Sequence, residues 1–176
     1  MHGSGLSAAK LSPELDYTFP SLEPFKLGLT NLAHRPTRSS DQLTTGELLS
    51  GVPDLVRKVA QYKPKVVCFV GKQIAQAFLR GLRGHLGEEV QVSLPNDILL
   101  AFDKEMQPPD AGYGVLDACV EHEDGTVTLF FATPSTSARV THHQLPGKIR
   151  IMGNVTAILS DEPQMTVSIA KITGIS

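Results

Sequence analysis

The stretch Lys65-Val66-Val67-Cys68-Phe69-Val70-Gly71-Lys72 constrains this chain more than any other. From Val66 to Gly71 every residue is apolar or small, which reads as a strand buried on both faces, the kind a helix-covered parallel sheet uses. The run stops at Gly71-Lys72 and the period changes. Ile74, Phe78 and Leu82 recur every four residues, with Ala75 and Leu79 beside them, so one face of a helix is apolar. The unit is strand, Gly-Lys turn, helix. In open α/β sheets, ligands bind at the carboxyl ends of the strands. A helix N-terminus there presents unpaired N–H groups to anions, and Lys72 adds a full positive charge. A phosphate contact is the functional reading. A plain strand-to-helix turn with a solvated lysine is the simpler one, because the longer glycine loop and Ser/Thr of a nucleotide P-loop are missing.

A length of 176 residues suits one domain with a sizeable core. No apolar run is long enough to span a membrane, and the start lacks the charged-then-apolar form of a signal peptide. Two cysteines make no disulfide framework, and Cys68 and Cys119 have no metal spacing. These features predict a soluble, intracellular protein. Charge is unevenly spread. Phe25 to Arg83 holds ten Lys/Arg against three acids, and Gly84 to Thr126 holds one Lys against ten acids. That asymmetry fits a first block that meets a polyanion and a second that stays away from it; two ordinary solvated faces fit it equally.

Met1 to Pro24 is rich in Ser, Pro and Gly and has no clear period. Phe25 to Asn31 reads as a short strand that ends in a polar loop, Asn31 to Ser40, containing Arg35-Pro36-Thr37. Thr44-x-x-Glu47 has the form of a capping box. Leu48, Val52, Leu55, Val56, Val59 and Tyr62 suit an amphipathic helix, which Pro53 should divide into a first turn and a restart. Residues 84 to about 111 are acidic, carry three prolines and read as a long, partly mobile insertion. Asp117 to Thr128 suggests a hairpin turning at Glu123-Asp124-Gly125. Thr126 to Ala132 is a second strong buried strand, followed by Thr133-Pro134-Ser135-Thr136-Ser137-Ala138-Arg139. Strands alternating with amphipathic helices predict a doubly wound α/β sheet. Gln144 to Arg150 leads toward a final helix. After Met152 the helical stripe fails, and Val167, Ile169 and Ile172 make a weak strand.

Three strand ends thus carry chemistry-capable loops: Asn31 to Thr37, Gly71-Lys72, and Pro134 to Arg139. Parallel strands would bring them to one rim. That rim offers an amide, hydroxyls, a helix N-terminus and three cations, but no carboxylate, no paired His and no cysteine. Metal hydrolysis, thiol catalysis and a Ser-His-Asp triad are poorly supported, and His142-His143 reads as a polar pair at a helix start. Ser, Thr, Arg, Lys and N–H groups are what phosphate contacts use.

Leu-Gly-Leu-Thr-Asn-Leu-x-x-Arg-Pro-Thr at 27–37, Tyr-Lys-Pro at 62–64, Phe-Val-Gly-Lys at 69–72 and Pro-Ser-Thr-Ser-Ala-Arg at 134–139 together resemble a known family. It is the mismatch-specific uracil/thymine-DNA glycosylases, the thymine-DNA glycosylase branch of the uracil-DNA glycosylase superfamily. The resemblance covers roughly residues 1 to 152, apart from the acidic insertion. It implies a three-layer αβα fold with a mostly parallel sheet. It implies removal of uracil or thymine mispaired with guanine by hydrolysis of the N-glycosidic bond, with no metal or organic cofactor. The target nucleotide would be flipped out of the stack. Carried over by position, Asn31 would sit by the base pocket and Thr37 would help hold the attacking water. Gly71 and Lys72 would contact backbone phosphate. Ser135, Thr136, Ser137, Ala138 and Arg139 would form a loop in which Ala138 and Arg139 enter the gap left by the flipped nucleotide. The implied partner is double-stranded DNA bearing a G·U or G·T mismatch. The implied state is a monomer, and the implied location is the nucleus.

Two features depart from that family. Its catalytic Gly-x-Asn-Pro-Gly motif is absent, and His2-Gly3-Ser4-Gly5 matches the segment that follows it, so the sheet is expected to lack its first, central strand. The family's last amphipathic helix has no counterpart in Gly153 to Ser176, which reads as an atypical tail. A sheet without a central strand leaves unpaired backbone groups and apolar edges, so reduced stability and poor catalysis are expected. A tail strand from Met165 to Ile172 would partly fill the gap. A DNA-binding module without chemistry, and a nucleotide- or sugar-phosphate-binding domain, are the competing expectations.

Overall fold

The computed structural model describes the chain except residues 1, 9, 11, 22, 40, 41, 137–142, 161, 162, 175 and 176. Its regular elements are α1 (Thr45–Ser50), α2 (Val52–Tyr62), β1 (Val66–Val70), α3 (Lys72–Gly81), β2 (Leu86–Leu94), β3 (Gly114–Glu121), β4 (Val127–Thr133), α4 (Leu145–Ser160) and β5 (Met165–Ile172). The five strands form one sheet in the order β1-β4-β3-β5-β2.

The two strands and two helices strongest in the sequence form where expected. Thr44 caps α1 through a complete capping box: its hydroxyl accepts from the Glu47 N–H, and the Glu47 carboxylate accepts from the Thr44 N–H. Gly51 then breaks the helix, and α2 restarts with proline in its first turn. Lys63, in the left-handed conformation, closes α2 and turns the chain into β1.

Helices cover both faces of the sheet. On one face Val52, Leu55, Val56 and Val59 of α2 and Ala75, Phe78 and Leu82 at α3 meet Phe69, Leu116, Ala118, Phe130 and Ala132. Phe69, Phe78 and Phe130 form an aromatic cluster, with Phe78 ring centroids 4.7 and 4.6 Å from the other two. On the opposite face Ile151, Val155 and Ile158 of α4 pack on Val115, Cys119, Leu129, Phe131 and Ile169. The layered αβα arrangement is therefore present. β4, not β1, is the strand buried along nearly its whole length. β1 lies at a sheet edge, where Val66 to Cys68 are half-buried and Val70 is exposed.

Four sequence expectations need correction. The sheet is mixed rather than mostly parallel: β1–β4 and β3–β5 are parallel, β3–β4 and β2–β5 antiparallel. The tight turn at Glu123-Asp124-Gly125 allows only an antiparallel β3–β4 pair. Second, residues 84–111 are not a loose insertion. Val92 and Leu94 point inward from β2, which pairs with β5 over most of its length. Third, Phe25 to Asn31 forms no strand. Its Leu27 N–H bonds the Phe19 carbonyl and Leu29 stays exposed, so it lies outside the sheet. Fourth, α4 continues through Gly153 to Ser160, because Ile151, Val155 and Ile158 keep one apolar face across the glycine.

The tail strand does form. β5 lies between β3 and β2, joined to β3 through the pair Cys119 and Lys171. Ile169 on it is fully buried. The first residues also pack: Leu6 is buried in the α4 core, and the Thr156 hydroxyl donates to the Ser4 carbonyl at 2.6 Å.

Candidate nucleic-acid interface

β1 and β4 run parallel and adjacent, so the loops that follow them leave the sheet on one rim. The Gly71 N–H donates to the Thr133 carbonyl at 2.8 Å and holds the two strand ends together. Gly71 has φ 120°, a conformation open to glycine and strained for any side chain. From there α3 starts with its N-terminal N–H groups at the rim. Pro134 is buried beside it, Ser135 is half-buried and Thr136 is exposed. Ser137, Ala138 and Arg139 lie outside the described residues.

Lys72 opens α3 and faces a turn of the acidic segment. Its ammonium donates to the Ala111 carbonyl at 2.8 Å and stands 5.9 Å from the centre of the Tyr113 ring. Lys72, Pro108, Pro109, Ala111, Tyr113 and His143 line an open cleft of about 610 Å³. His143 is buried to 3% side-chain exposure, and its Nε2 lies 2.9 Å from one Asp110 carboxylate oxygen. Arg150, on the first turns of α4, pairs with the other oxygen. The hydrogen bond from His143, and then that from Arg150, hold the Asp110 carboxyl below its ordinary value. Tyr113 meets the His143 ring edge-on, with centroids 5.1 Å apart.

This rim differs from the sequence expectation. A carboxylate, expected to be absent, stands beside its cleft on a histidine that lines it. Asp110 comes from a segment expected to avoid a polyanion-binding face, and His143, read as one of a polar pair at a helix start, stands just ahead of α4 with its side chain buried and paired to Asp110. Spacing could not reveal either, because 33 residues separate them.

The Asn31 to Thr37 segment is held by α1 and α2. Leu32 is buried in the α2–α3 core. His34 pairs with Asp54 at 3.0 Å, and Lys58 donates to the Thr30 hydroxyl at 3.0 Å. Asn31 is exposed and Thr37 half-buried. Arg35, counted from the sequence as a rim cation, donates to both oxygens of Glu47 and to the Gln42 carbonyl. Its charge is therefore committed to anchoring the segment on the α1 cap.

That anchor has a pH signature. The hydrogen bond from Arg35, then those from the Thr44 N–H and hydroxyl, pull the Glu47 carboxyl from 4.5 down to about 2. A depressed carboxylate stabilises the fold above its unfolded value and loses that contribution as pH falls through the folded one. Glu47→Gln is therefore expected to narrow the stability loss between pH about 4.5 and about 2. Urea melts of both proteins across that interval check it, and parallel curves would contradict it. The thiols have no comparable role: burial pushes Cys68 up to about 12 and Cys119 up to about 11, so neither supplies a thiolate near neutral pH.

A helix-flanked sheet with a Gly-Lys turn at a helix N-terminus, beside Pro134, Ser135 and Thr136, makes this an α/β protein whose strand-end rim is of the kind that can meet an anion. The family model for the uracil DNA glycosylase superfamily matches residues 3–152, and the chain belongs to that superfamily. Members of the superfamily act on DNA, which supports DNA as a partner of this chain.

Proposed function

We propose that this chain is a base-excision DNA glycosylase that removes uracil or thymine opposite guanine from duplex DNA. The observation that carries this reading is the joined rim of β1 and β4. There Gly71, Lys72 and the α3 N-terminus stand beside the start of the Pro134-Ser135-Thr136 loop. In the proposed reaction the N-glycosidic bond breaks and its electron pair leaves with the base, while water adds its oxygen to the sugar carbon and the proton it gives up balances the one the base takes on. Asn31 is assigned to the base edge and Thr37 to the water. Gly71 and Lys72 are assigned to backbone phosphate, and Ser135 to Arg139 to the strand gap. The proposed actor is a nuclear monomer that needs no cofactor. Because Gly-x-Asn-Pro-Gly is absent from residues 1–176, turnover is proposed to be slow. The same absence favours a second reading, a module that binds such DNA without hydrolysing it.

Lys72→Ala tests the phosphate assignment. Affinity for matched and mismatched duplexes should fall by the same factor, and the slope of log affinity against log salt should shrink by about one. A loss confined to mismatched DNA, or no loss, would remove Lys72 from the DNA contact.

A further inference from the structure

We propose that the Lys72–Tyr113–His143 cleft receives a DNA phosphodiester, and that the chain's own Asp110 carboxylate occupies the His143–Arg150 donor pair beside it when no DNA is bound. The proposal rests on the DNA-binding reading of this rim. Three cationic or donor side chains reach one turn from separate places: Lys72 at the start of α3, His143 ahead of α4, and Arg150 within α4. His143 and Arg150 bind one Asp110 oxygen each. A phosphodiester presents the same pair of anionic oxygens to such a donor pair.

The turn also occupies Lys72. The lysine ammonium spends one of its three donors on the Ala111 carbonyl, and among the described residues it forms no ion pair. Its stem is pressed against Gly112, where a Cβ would come within 2.6 Å of the lysine Cε. The residues that would greet a phosphate are thus held by three consecutive residues of one acidic segment.

A purely structural clasp explains the burial of His143 but not the rest. Arg150 keeps 53% of its side chain in solvent, and the cleft beside the clasp is open rather than packed. The exposed Arg150 half of the clasp therefore contributes little stability of its own. The turn itself is held by short-range bonds, Asp110 N–H to Gln107 carbonyl at 3.2 Å and Tyr113 N–H to Asp110 carbonyl at 3.0 Å. It can therefore withdraw without unfolding the sheet. The His143 Nδ1 is buried and has no hydrogen-bond partner among the described residues, so the clasp leaves one polar group of the site unsatisfied.

The test is DNA affinity measured by fluorescence anisotropy on a labelled duplex with one G·U mismatch, for the full chain and two variants. Asp110→Asn removes the competing charge, and Glu105→Gln removes the same charge from an exposed position outside the cleft. If the cleft is closed most of the time, Asp110→Asn should bind about five- to tenfold more tightly, while Glu105→Gln stays within about twofold of the parent. The gain should vanish in Asp110→Asn combined with Arg150→Gln. Equal or weaker binding by a folded Asp110→Asn, beside a parent that binds, overturns the occupied-site proposal and leaves the DNA reading standing. No binding by either protein overturns both. Hydrogen exchange on the parent needs no variant: saturating duplex should speed exchange at Ala111 and Tyr113, and unchanged or slower exchange would refute the release of Asp110.

Discussion

Phe130→Ala is expected to cost about 3–5 kcal/mol of unfolding free energy. Phe130 is fully buried on β4, an inner strand, and packs with both other rings of the aromatic cluster. Its ring joins three elements: β4, which carries it, β1 through Phe69, and α3 through Phe78. Alanine would leave a cavity between a sheet and a helix that are both pinned at their ends, so collapse around it is limited. The cost is transfer free energy plus the lost contacts of the cavity walls. For a chain of this size each kcal/mol moves Tm by roughly 2–4 °C, so a drop of about 6 °C or more is expected. The same substitution loosens the strand ends that frame the Gly71 turn, so DNA affinity should fall with stability. Thermal melts followed by far-UV circular dichroism check the first part. A change below about 1 kcal/mol would mean that the three-ring cluster does not hold α3 on the sheet.

Ile169→Ala is expected to be nearly as damaging, at about 2–4 kcal/mol. Ile169 is the one fully buried side chain of β5, and it packs in the α4 core with Val115, Cys119 and Phe131. β5 joins β2 to the rest of the sheet, so weakening it releases two strands. Thr166 is exposed on the same strand, and Thr166→Ala should stay within about 0.5 kcal/mol of the parent. The contrast separates packing from β-propensity. Equal, small effects at both positions in urea melts would mean that the tail is docked only loosely. The expectation of reduced stability drawn from the sequence is to be judged with this strand in place.

Much of the fold was legible because two signals were strong. The apolar run Val66 to Val70 with the four-residue stripe of Ile74, Phe78 and Leu82 gave β1 and α3. Thr126 to Ala132 gave β4. Thr44, Glu47 and Pro53 gave the helix start and restart, since caps and proline act within one turn of chain. What escaped depended on distant partners. β2 carries exposed Glu88 and Glu89 beside buried Val92 and Leu94, a weak alternation that only pairing with β5 makes a strand. α4 runs through Gly153 because its face is packed, a tertiary effect that outweighs the local cost of glycine. β1 read as buried on both faces, yet it lies at the sheet edge, and an apolar run does not tell an edge strand from an inner one.

The candidate site was half legible. Gly71 and Lys72 stand at the strand end and helix start that their sequence context gave. Asp110, Tyr113 and Arg150 carried no signal, being single polar or aromatic residues in segments read as insertion or helix surface. Arg35 was misjudged as a rim cation because its partner Glu47, 12 residues on, was already assigned to a cap.

The central claim is that this rim serves excision of a base from DNA. Single-turnover release of uracil from a labelled duplex with one G·U mismatch, read as strand breakage by alkali, tests it most directly. The account predicts slow release above a no-protein control, reduced in Lys72→Ala and absent from a duplex with no mismatch. No release from folded protein that binds the duplex would contradict glycosylase activity and leave this chain a DNA-binding module.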